Sequence, residues 1–245
     1  MSTTTSTPSP SSQLSYTTIL SILVLCCTLF YILLQKYRPF VYDFLIVKMT
    51  SEWYRAVLEK LPEHSIILDV GIGTGSALFA HEELLRSKHI TIIGVDYDLD
   101  YVRLCQENIR QRNLQPYVSV YHQSIYDFQP PEKTPLFDAI YFSGSLMIMP
   151  DPTRALQHVK SMLKPTPGGK IYVTQTFEEK KNLVMELMKP LLKFLTTIDF
   201  GQVTYASEFF ASFERAGLRV VDDVVISSGA NSHTGRSVRL VIGEW

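Results

Sequence analysis

A glycine-rich segment that directly follows an apolar run carries the clearest chemical signal in the sequence. Asp69 stands near the end of the buried-strand pattern Ser65–Val70, and three alternate glycines come next, Gly71, Gly73 and Gly75. Glycine permits positive φ and lets a ligand approach the backbone closely. A helix predicted to begin at Ser76 offers free N–H groups and a positive potential, which suit an anion. The segment therefore predicts a turn that holds a small ligand.

The glycine spacing differs from that of a dinucleotide site, whose pattern is G-x-G-x-x-G. Counted from Gly71, the third glycine of that pattern falls on Ser76, and counted from Gly73 it falls on Leu78. The observed spacing is D-x-G-x-G-x-G. An NAD-dependent oxidoreductase is therefore disfavoured.

A second acidic residue, Asp96, ends the next predicted strand at Gly94-Val95-Asp96. A carboxylate in this place can accept two hydrogen bonds from vicinal ribose hydroxyls. This feature alone supports any adenosine cofactor with a free 2′-hydroxyl, NAD included.

Together these motifs resemble the class I S-adenosylmethionine-dependent methyltransferases, whose motif I has the same D-x-G-x-G-x-G spacing. The segments Phe137–Leu146, Asp151–Leu156 and Met162–Val173 resemble the family's fourth strand, its following helix and its L-K-P-G-G turn, which has two extra residues here, Thr166 and Pro167. The resemblance covers about residues 65–176, with a weaker likeness at 207–226. It implies the fold and S-adenosyl-L-methionine as cofactor, and it leaves the acceptor open.

The resemblance also implies a set of cofactor-binding residues. Asp69 would hold the methionyl amine through water, and the three glycines would lie under the methionine and ribose. Asp96 would hold the ribose hydroxyls, and Tyr97 would lie along the adenine.

Two further positions are implied at the ends of later strands. Ser124-Ile125 matches the place where many members have an acidic residue and then an apolar residue against the adenine, and Asp127 is an alternative to Ser124. Ser143 would face the methyl group. For these polar residues an ordinary role in a strand-end loop remains open.

Methyl transfer from a sulfonium is an in-line displacement that needs alignment and exclusion of water. A base is needed only when the acceptor holds its proton near neutral pH. We therefore predict no particular catalytic base, although four residues come close to the expected mouth of the site, His122, Tyr141, Tyr42 and Tyr205.

Strand and helix patterns alternate along the rest of the chain. Strands are predicted at Ser65–Val70, Ile90–Val95, Val118–His122, Phe137–Phe142, Lys170–Gln175, Leu218–Ile226 and Ser237–Gly243. Helices are predicted at Val41–Leu61, Ser76–Ser87, Leu99–Asn113, Pro152–Leu163, Glu178–Leu195 and Ser207–Ala216. This alternation predicts an α/β fold, a Rossmann-like doubly wound and mostly parallel sheet of seven strands with an antiparallel last strand.

The N-terminal residues have a different composition from the rest. Residues 1–13 are Ser, Thr and Pro and predict a disordered tail, residues 14–35 an apolar transmembrane anchor, and residues 36–245 the methyltransferase domain. A cleaved signal peptide is the alternative, but the start carries no basic residue and the run has no A-x-A-like cleavage site. Lys36, Arg38 and Lys48 follow the run, which places the domain on the cytosolic side of an unspecified membrane.

Two added segments are expected to shape the acceptor site. Val41–Leu61 contains four aromatic residues that either cover the cofactor or pack on the sheet edge, Tyr42, Phe44, Trp53 and Tyr54. Phe177–Tyr205 carries an apolar helical face, interrupted by Pro190, that forms either core or a lid.

The composition limits the classes of partner that the protein is expected to bind. Lys and Arg total 23 against 24 Asp and Glu, so a net charge of −1 argues against nucleic-acid binding driven by bulk positive charge. The cysteines lack the spacing of a zinc site, and no metal is expected. We predict a membrane-anchored methyltransferase with a small apolar or lipid-like acceptor and no obligatory protein partner. A non-catalytic membrane-tethered cofactor-binding module and a protein methyltransferase at the membrane are the alternatives.

Overall fold

The computed structural model describes residues 16–178, 203–226 and 236–245, with the side chains of these residues except 34–35, 38–46 and 48–49. The tail predicted at residues 1–13 lies outside them, as does the helix predicted at Glu178–Leu195 with its bend at Pro190, apart from Glu178 itself. The chain divides into two compact units, Met1–Tyr37 and Arg38–Trp245.

The first unit contains one long apolar helix, α1 (Tyr16–Lys36). Its segment Tyr16–Leu33 is long and apolar enough to cross a membrane, and its side chains are exposed. Two of its hydroxyls turn back to the helix, Ser21 Oγ to the Thr17 carbonyl (2.9 Å) and Thr28 Oγ1 to the Val24 carbonyl (2.8 Å). This bonding keeps polar groups satisfied within an apolar helix.

The second unit is built on a seven-stranded sheet. Its strands are β1 (Ile66–Val70), β2 (Thr91–Asp96), β3 (Val118–His122), β4 (Ala139–Ser143), β5 (Lys170–Glu178), β6 (Arg219–Val225) and β7 (Arg236–Glu244). The spatial order is β3-β2-β1-β4-β5-β7-β6. The first five strands run parallel, and β7 is antiparallel to both β5 and β6. The predicted Rossmann-like sheet with an antiparallel last strand is confirmed.

Helices cover both faces of this sheet. One face packs against α2 (Arg38–Lys60), α3 (Ser76–Phe79), α4 (Glu82–Ser87) and α5 (Leu99–Gln111), and the other against α6 (Pro152–Lys160) and α7 (Ala206–Arg215). A short 3₁₀ helix, Leu146–Ile148, follows β4. The strands alternate their side chains between two buried apolar clusters, one on each face.

The helix predicted at Ser76–Ser87 is wrong as a single element, because it breaks at Ala80 and His81. The His81 amide bonds to the Leu78 carbonyl, and its Nε2 lies 2.8 Å from the Ser51 carbonyl of α2. This hydrogen bond to α2 holds His81 in a non-helical conformation. The predicted strand Lys170–Gln175 also continues further, to Glu178, since β7 pairs with it along its whole length.

Candidate functional site

The carboxyl ends of β1, β2 and β4 bring the predicted polar residues to one edge of the sheet. Asp69 of β1 pairs in register with Gly94 of β2 on one side and Tyr141 of β4 on the other. The chain order reverses between β1 and β4, and a crevice at such a reversal is where ligands of open parallel sheets bind. Asp69, Asp96 and Ser143 therefore border one crevice.

The loop after β1 is held through hydrogen bonds of its own backbone groups. Gly71, Gly73 and Gly75 all have left-handed backbone conformations, with φ of 79°, 60° and 72°. The Gly71 amide donates to the Val95 carbonyl (2.8 Å) and the Gly73 amide to Asp96 Oδ2 (2.9 Å). Since α3 is only four residues long, it does not provide the anion-binding helix end that the sequence predicted.

Internal packing also requires two of these glycines. A Cβ on Gly71 would lie 2.7 Å from Ser145 Cβ, and one on Gly75 would lie 2.4 Å from the Phe79 ring. Both distances are shorter than real contacts allow. The loop therefore needs glycine because Ser145, which follows β4, and Phe79 of α3 pack against it. The spacing alone did not reveal this reason.

Asp96 is buried, at 8 % exposure, and both of its carboxylate oxygens accept hydrogen bonds. Oδ2 accepts from the Gly73 amide and Oδ1 from the Asp98 amide, each at 2.9 Å. Burial raises the pKa of Asp96, and these amide hydrogen bonds oppose the rise. The Tyr97 amide also donates to Asp96. Because a carboxylate offers about four acceptor positions, Asp96 keeps capacity for a further donor.

Asp69 is almost fully buried, at 1 % exposure. Its Oδ2 accepts a hydrogen bond from the Tyr54 hydroxyl of α2 (2.8 Å), whereas Oδ1 has no partner among the described residues. Burial raises the pKa of Asp69 to about 7; the hydrogen bond from Tyr54 opposes the rise and the nearby Asp96 charge adds to it. Such a buried acceptor at a strand end is a typical contact for a charged donor of a ligand.

The remaining predicted binding residues differ in their exposure and in their hydrogen bonds. Tyr97 is 73 % exposed, and its carbonyl lies 3.0 Å from His122 Nε2. Ser124 Oγ accepts from the Tyr126 amide (3.3 Å), and Ile125 is buried in the core cluster beneath the sheet. Ser143 ends β4, and its Oγ is buried.

Of the candidate bases, Tyr141 is fully enclosed. Its hydroxyl bonds to Thr174 Oγ1 (2.8 Å), and burial raises its pKa far above the ordinary value. A phenol held protonated in this way is a poor proton acceptor. His122 uses Nε2 to donate to the Tyr97 carbonyl, and Tyr205 precedes α7. The side chain of Tyr42 lies outside those described.

Two contacts from α2 to the site were not predicted individually. Tyr54 bonds to Asp69, and the ring of Trp53 packs on Gly144, where an added Cβ would lie 3.1 Å from its Cζ3. The aromatic content of the segment Val41–Leu61 was the available signal, but it did not distinguish cover for the cofactor from packing.

Comparison with known proteins adds family information. A family model described as a methyltransferase domain matches residues 67–168. The tRNA1(Val) (adenine(37)-N6)-methyltransferase of Shewanella frigidimarina is 31 % identical over 140 residues, which are 54 % of this chain and 50 % of that protein. The chain thus spans about half the length of the curated relative that it matches.

Two solved structures share the fold. The [4+2]-cyclase SpnF superposes with a TM-score of 0.62 at 19 % identity, covering 79 % of each chain. Geranyl diphosphate C-methyltransferase from Streptomyces coelicolor A3(2), solved with S-adenosyl-L-homocysteine, gives a TM-score of 0.60 at 12 % identity, covering 79 % of this chain and 77 % of that one.

The fold defines a Rossmann-like domain in which Asp69 and Asp96 lie at the ends of β1 and β2. The match to a methyltransferase domain over residues 67–168 and the shared fold support an S-adenosylmethionine-dependent methyltransferase, with S-adenosyl-L-methionine as its cofactor. The prediction of enzyme class and cofactor is confirmed. The unpartnered Asp69 Oδ1 fits this cofactor, because its ammonium is a donor that needs a buried acceptor.

Proposed function

We propose that the full chain transfers the methyl group of S-adenosyl-L-methionine to a small apolar or lipid-like acceptor at a membrane. One observation carries the proposal. The apolar helix α1 is joined through the single residue Tyr37 to α2, and α2 contributes the Tyr54 hydroxyl that bonds to Asp69. The same segment of chain thus links a candidate membrane span to the cofactor site.

The covalent link supports this proposal. A site on the same chain as a membrane span meets membrane-dissolved molecules at a raised effective concentration. Lys36 and Arg38 border the apolar run on its C-terminal side only, which favours a cytosolic domain.

The site residues take the following roles in the proposal. When bound, the cofactor supplies a methyl group that is already activated by its sulfonium. Asp96 accepts from the ribose hydroxyls, Asp69 from the ammonium, and Ser143 lies toward the methyl group. The glycine loop follows the methionine and ribose, while Tyr97, Ser124 and Ile125 border the adenine. Alignment and exclusion of water are then the main tasks of the protein.

An RNA acceptor is the second candidate, because the curated relative is by name a tRNA methyltransferase. The net charge of −1 disfavours it, since RNA binding depends on cationic residues that neutralise phosphates. A protein acceptor at the membrane and a non-catalytic module are further outcomes of the test. The cyclase among the structural neighbours shows that this fold also carries other functions.

The test is transfer of tritiated methyl groups from S-adenosyl-L-methionine by the full chain in native membranes. The products are separated into an organic lipid extract, protein, RNA and a water-soluble pool. We expect label in the lipid extract. The Asp96→Ala variant loses a hydrogen bond to the ribose, worth about 1.5–3 kcal/mol, and should label at least tenfold less.

Label in RNA or protein instead would replace the proposed acceptor. Absence of label from every fraction, with cofactor binding retained, would favour the non-catalytic module. Because Asp96 also accepts from the amides of Gly73 and Asp98, circular dichroism of the variant must show that it is folded.

A further inference from the structure

A cleft of about 360 Å³ lies over the half of the sheet formed by β5, β7 and β6, on the face that α2 covers. This volume is in the range of pockets that hold small molecules. The cofactor crevice lies elsewhere, because β4 separates β5 from Asp69 of β1. The residues that line the cleft are Lys60, Lys170, Tyr172, Val221, Asp222 and Ile242.

A row of paired residues forms the floor of this cleft. Tyr172 of β5 pairs with Ile242 of β7, which pairs in turn with Asp222 of β6. Paired residues point to the same face of a sheet, and so do residues two positions apart along a strand. Tyr172, Ile242 and Lys170 therefore point to the side of α2. From α2, Lys60 Nζ lies 3.3 Å from Asp222 Oδ2.

An irregularity in β6 adds an apolar wall. Val220 pairs with Gly243 of β7, and Asp222 pairs with its neighbour Ile242. Val221 is therefore an extra residue in β6, as in a β-bulge. Consecutive residues of a regular strand point to opposite faces, but at a bulge two residues oppose one and a side chain is re-aimed. Val221 and Asp222 accordingly both line the cleft.

Two donors of the cleft are available to a ligand. Within the described chain, Lys170 forms no ion pair and the Tyr172 hydroxyl forms no hydrogen bond. Tyr172 is 5 % exposed, and burial raises its pKa, so the hydroxyl keeps its proton at neutral pH. A protonated phenol and an ammonium both donate hydrogen bonds to an anion.

The charges of the cleft do not cancel. Lys60 and Lys170 carry two positive charges, and Asp222 carries one negative charge. The side chains of Lys60 and Asp222 are 42 % and 41 % exposed, and an ion pair between exposed groups is weak. Lys60 can therefore turn toward a ligand at little cost. The remaining positive charge complements one carboxylate, beside the apolar side chains of Val221 and Ile242.

We propose that this cleft is a second ligand site, for a small organic carboxylate that carries an apolar group. Lys170 and Tyr172 donate to the carboxylate, Lys60 is shared between the carboxylate and Asp222, and the apolar group contacts Val221 and Ile242. This site goes beyond the proposed function and needs neither a membrane nor a cofactor.

Calorimetry of the full chain in detergent micelles compares three probes. Phenylacetate has both the carboxylate and a ring, acetate has only the carboxylate, and 2-phenylethanol has a hydroxyl in place of the carboxylate. We expect phenylacetate to bind at least about tenfold more tightly than either of the others, since the loss of a single hydrogen bond to a charged group has an effect of this size. Saturating S-adenosyl-L-methionine should not displace phenylacetate.

Two variants test the donors. Lys170→Met should weaken phenylacetate binding about tenfold or more, and Tyr172→Phe about three- to tenfold. Lys160→Met is the matched control. It removes the same charge from α6, where the Lys160 ammonium lies 5.4 Å from the centre of the Trp245 ring, and it should change the affinity less than about twofold.

Asp222→Asn should change the affinity in the opposite direction. It removes a negative charge from the cleft and releases Lys60 from its ion pair, so phenylacetate should bind about two- to tenfold more tightly. A variant that merely disturbs the fold does not bind a ligand more tightly. This variant therefore decides the matter even if Tyr172→Phe does not fold.

Three results would overturn the proposal. The first is no binding of phenylacetate to the native chain at about 10 mM, which is weak even for a small ligand. The second is equal weakening by Lys170→Met and Lys160→Met, which would indicate a general effect of net charge. The third is displacement by S-adenosyl-L-methionine, which would place phenylacetate in the cofactor crevice.

Discussion

Asp69 illustrates how burial sets the chemistry of a single residue in this site. Its carboxyl group is removed from water and receives one hydrogen bond, from Tyr54. Burial disfavours the ionised form, so the pKa of Asp69 rises to about 7. A cationic ligand that approaches Oδ1 would favour the ionised form again, which couples the charge state of Asp69 to occupancy of the site.

This raised pKa predicts a pH-dependent stability. In the unfolded chain Asp69 ionises near pH 3.9, whereas in the folded chain it ionises near pH 7. Between these values the folded state binds the extra proton, so stability from this group is present below about pH 4 and is lost as pH rises to about 7. Asp69→Asn cannot ionise and should therefore be increasingly more stable than the native protein from pH 5 to 7.

Urea unfolding of the full chain in detergent at pH 5, 6, 7 and 8 measures this difference. The gap in unfolding free energy should grow by up to about 1.4 kcal/mol per pH unit and level off above pH 7. Asp96 also has a raised pKa and titrates in both proteins, so only its coupling to Asp69 enters the comparison. A gap independent of pH would show that Asp69 is ionised throughout this range in the folded chain.

At the scale of elements, the loop between β1 and α3 depends on glycine for two reasons. Its left-handed residues require a backbone without Cβ strain, and Ser145, which follows β4, and Phe79 of α3 pack directly on its glycines. Asn108 of α5 adds a hydrogen bond to the Thr74 carbonyl (3.1 Å). The loop is thus fixed by three neighbouring elements before any ligand binds, which is the preorganisation that methyl transfer requires.

Gly75→Ala should therefore destabilise the protein by about 2–5 kcal/mol. About 1–2 kcal/mol comes from the left-handed φ and about 1–3 kcal/mol from the collision with Phe79 and Cys105. Gly217→Ala is the matched control, with a φ of +75° and nothing within 4 Å of the added Cβ, so only the conformational part should remain. Urea unfolding compares the two variants. Equal losses would mean that α3 moves aside to accommodate the methyl group.

At the scale of the whole molecule, an apolar helix and a methyltransferase domain share one chain. The described side chains of α1 are exposed, among them Leu25 and Leu29. An exposed apolar surface of this kind is typical of a site that binds a partner or a bilayer. A span of 21 helical residues reaches about 31 Å, close to the hydrocarbon thickness. The proposed lipid-like acceptor depends on the interpretation of α1 as a membrane anchor.

Extraction of membranes with alkaline carbonate tests this anchoring. We expect the native chain to stay in the membrane pellet. Replacing both Leu25 and Leu29 with Arg should release it, since each arginine at the centre of a span costs about 2.5–3.5 kcal/mol. Leu136→Arg, at an exposed position of the domain, should stay in the pellet. Release of the native chain by carbonate would contradict the anchor and remove the main reason for a lipid-like acceptor.

Elements whose pattern lies within a few neighbouring residues could be predicted from the sequence. β3 was predicted with its observed bounds, Val118–His122, because an alternating pattern of buried residues is visible within a few positions. The D-x-G-x-G-x-G spacing and Asp96 indicated the cofactor through their resemblance to the S-adenosylmethionine-dependent methyltransferases, and each of these motifs lies at one strand end. The antiparallel relation of the last two strands followed from a connection without a helix.

Contacts between residues that are far apart in the chain are visible only in the tertiary structure. Tyr54 reaches Asp69 and Trp53 reaches Gly144 across long stretches of chain, and the insertion of β7 between β5 and β6 joins strands that are not consecutive. Such contacts depend on how helices pack on the sheet, and side-chain periodicity reports only which face is buried, not what buries it. The cover that α2 gives to Asp69 and Gly144 is therefore a property of the fold as a whole.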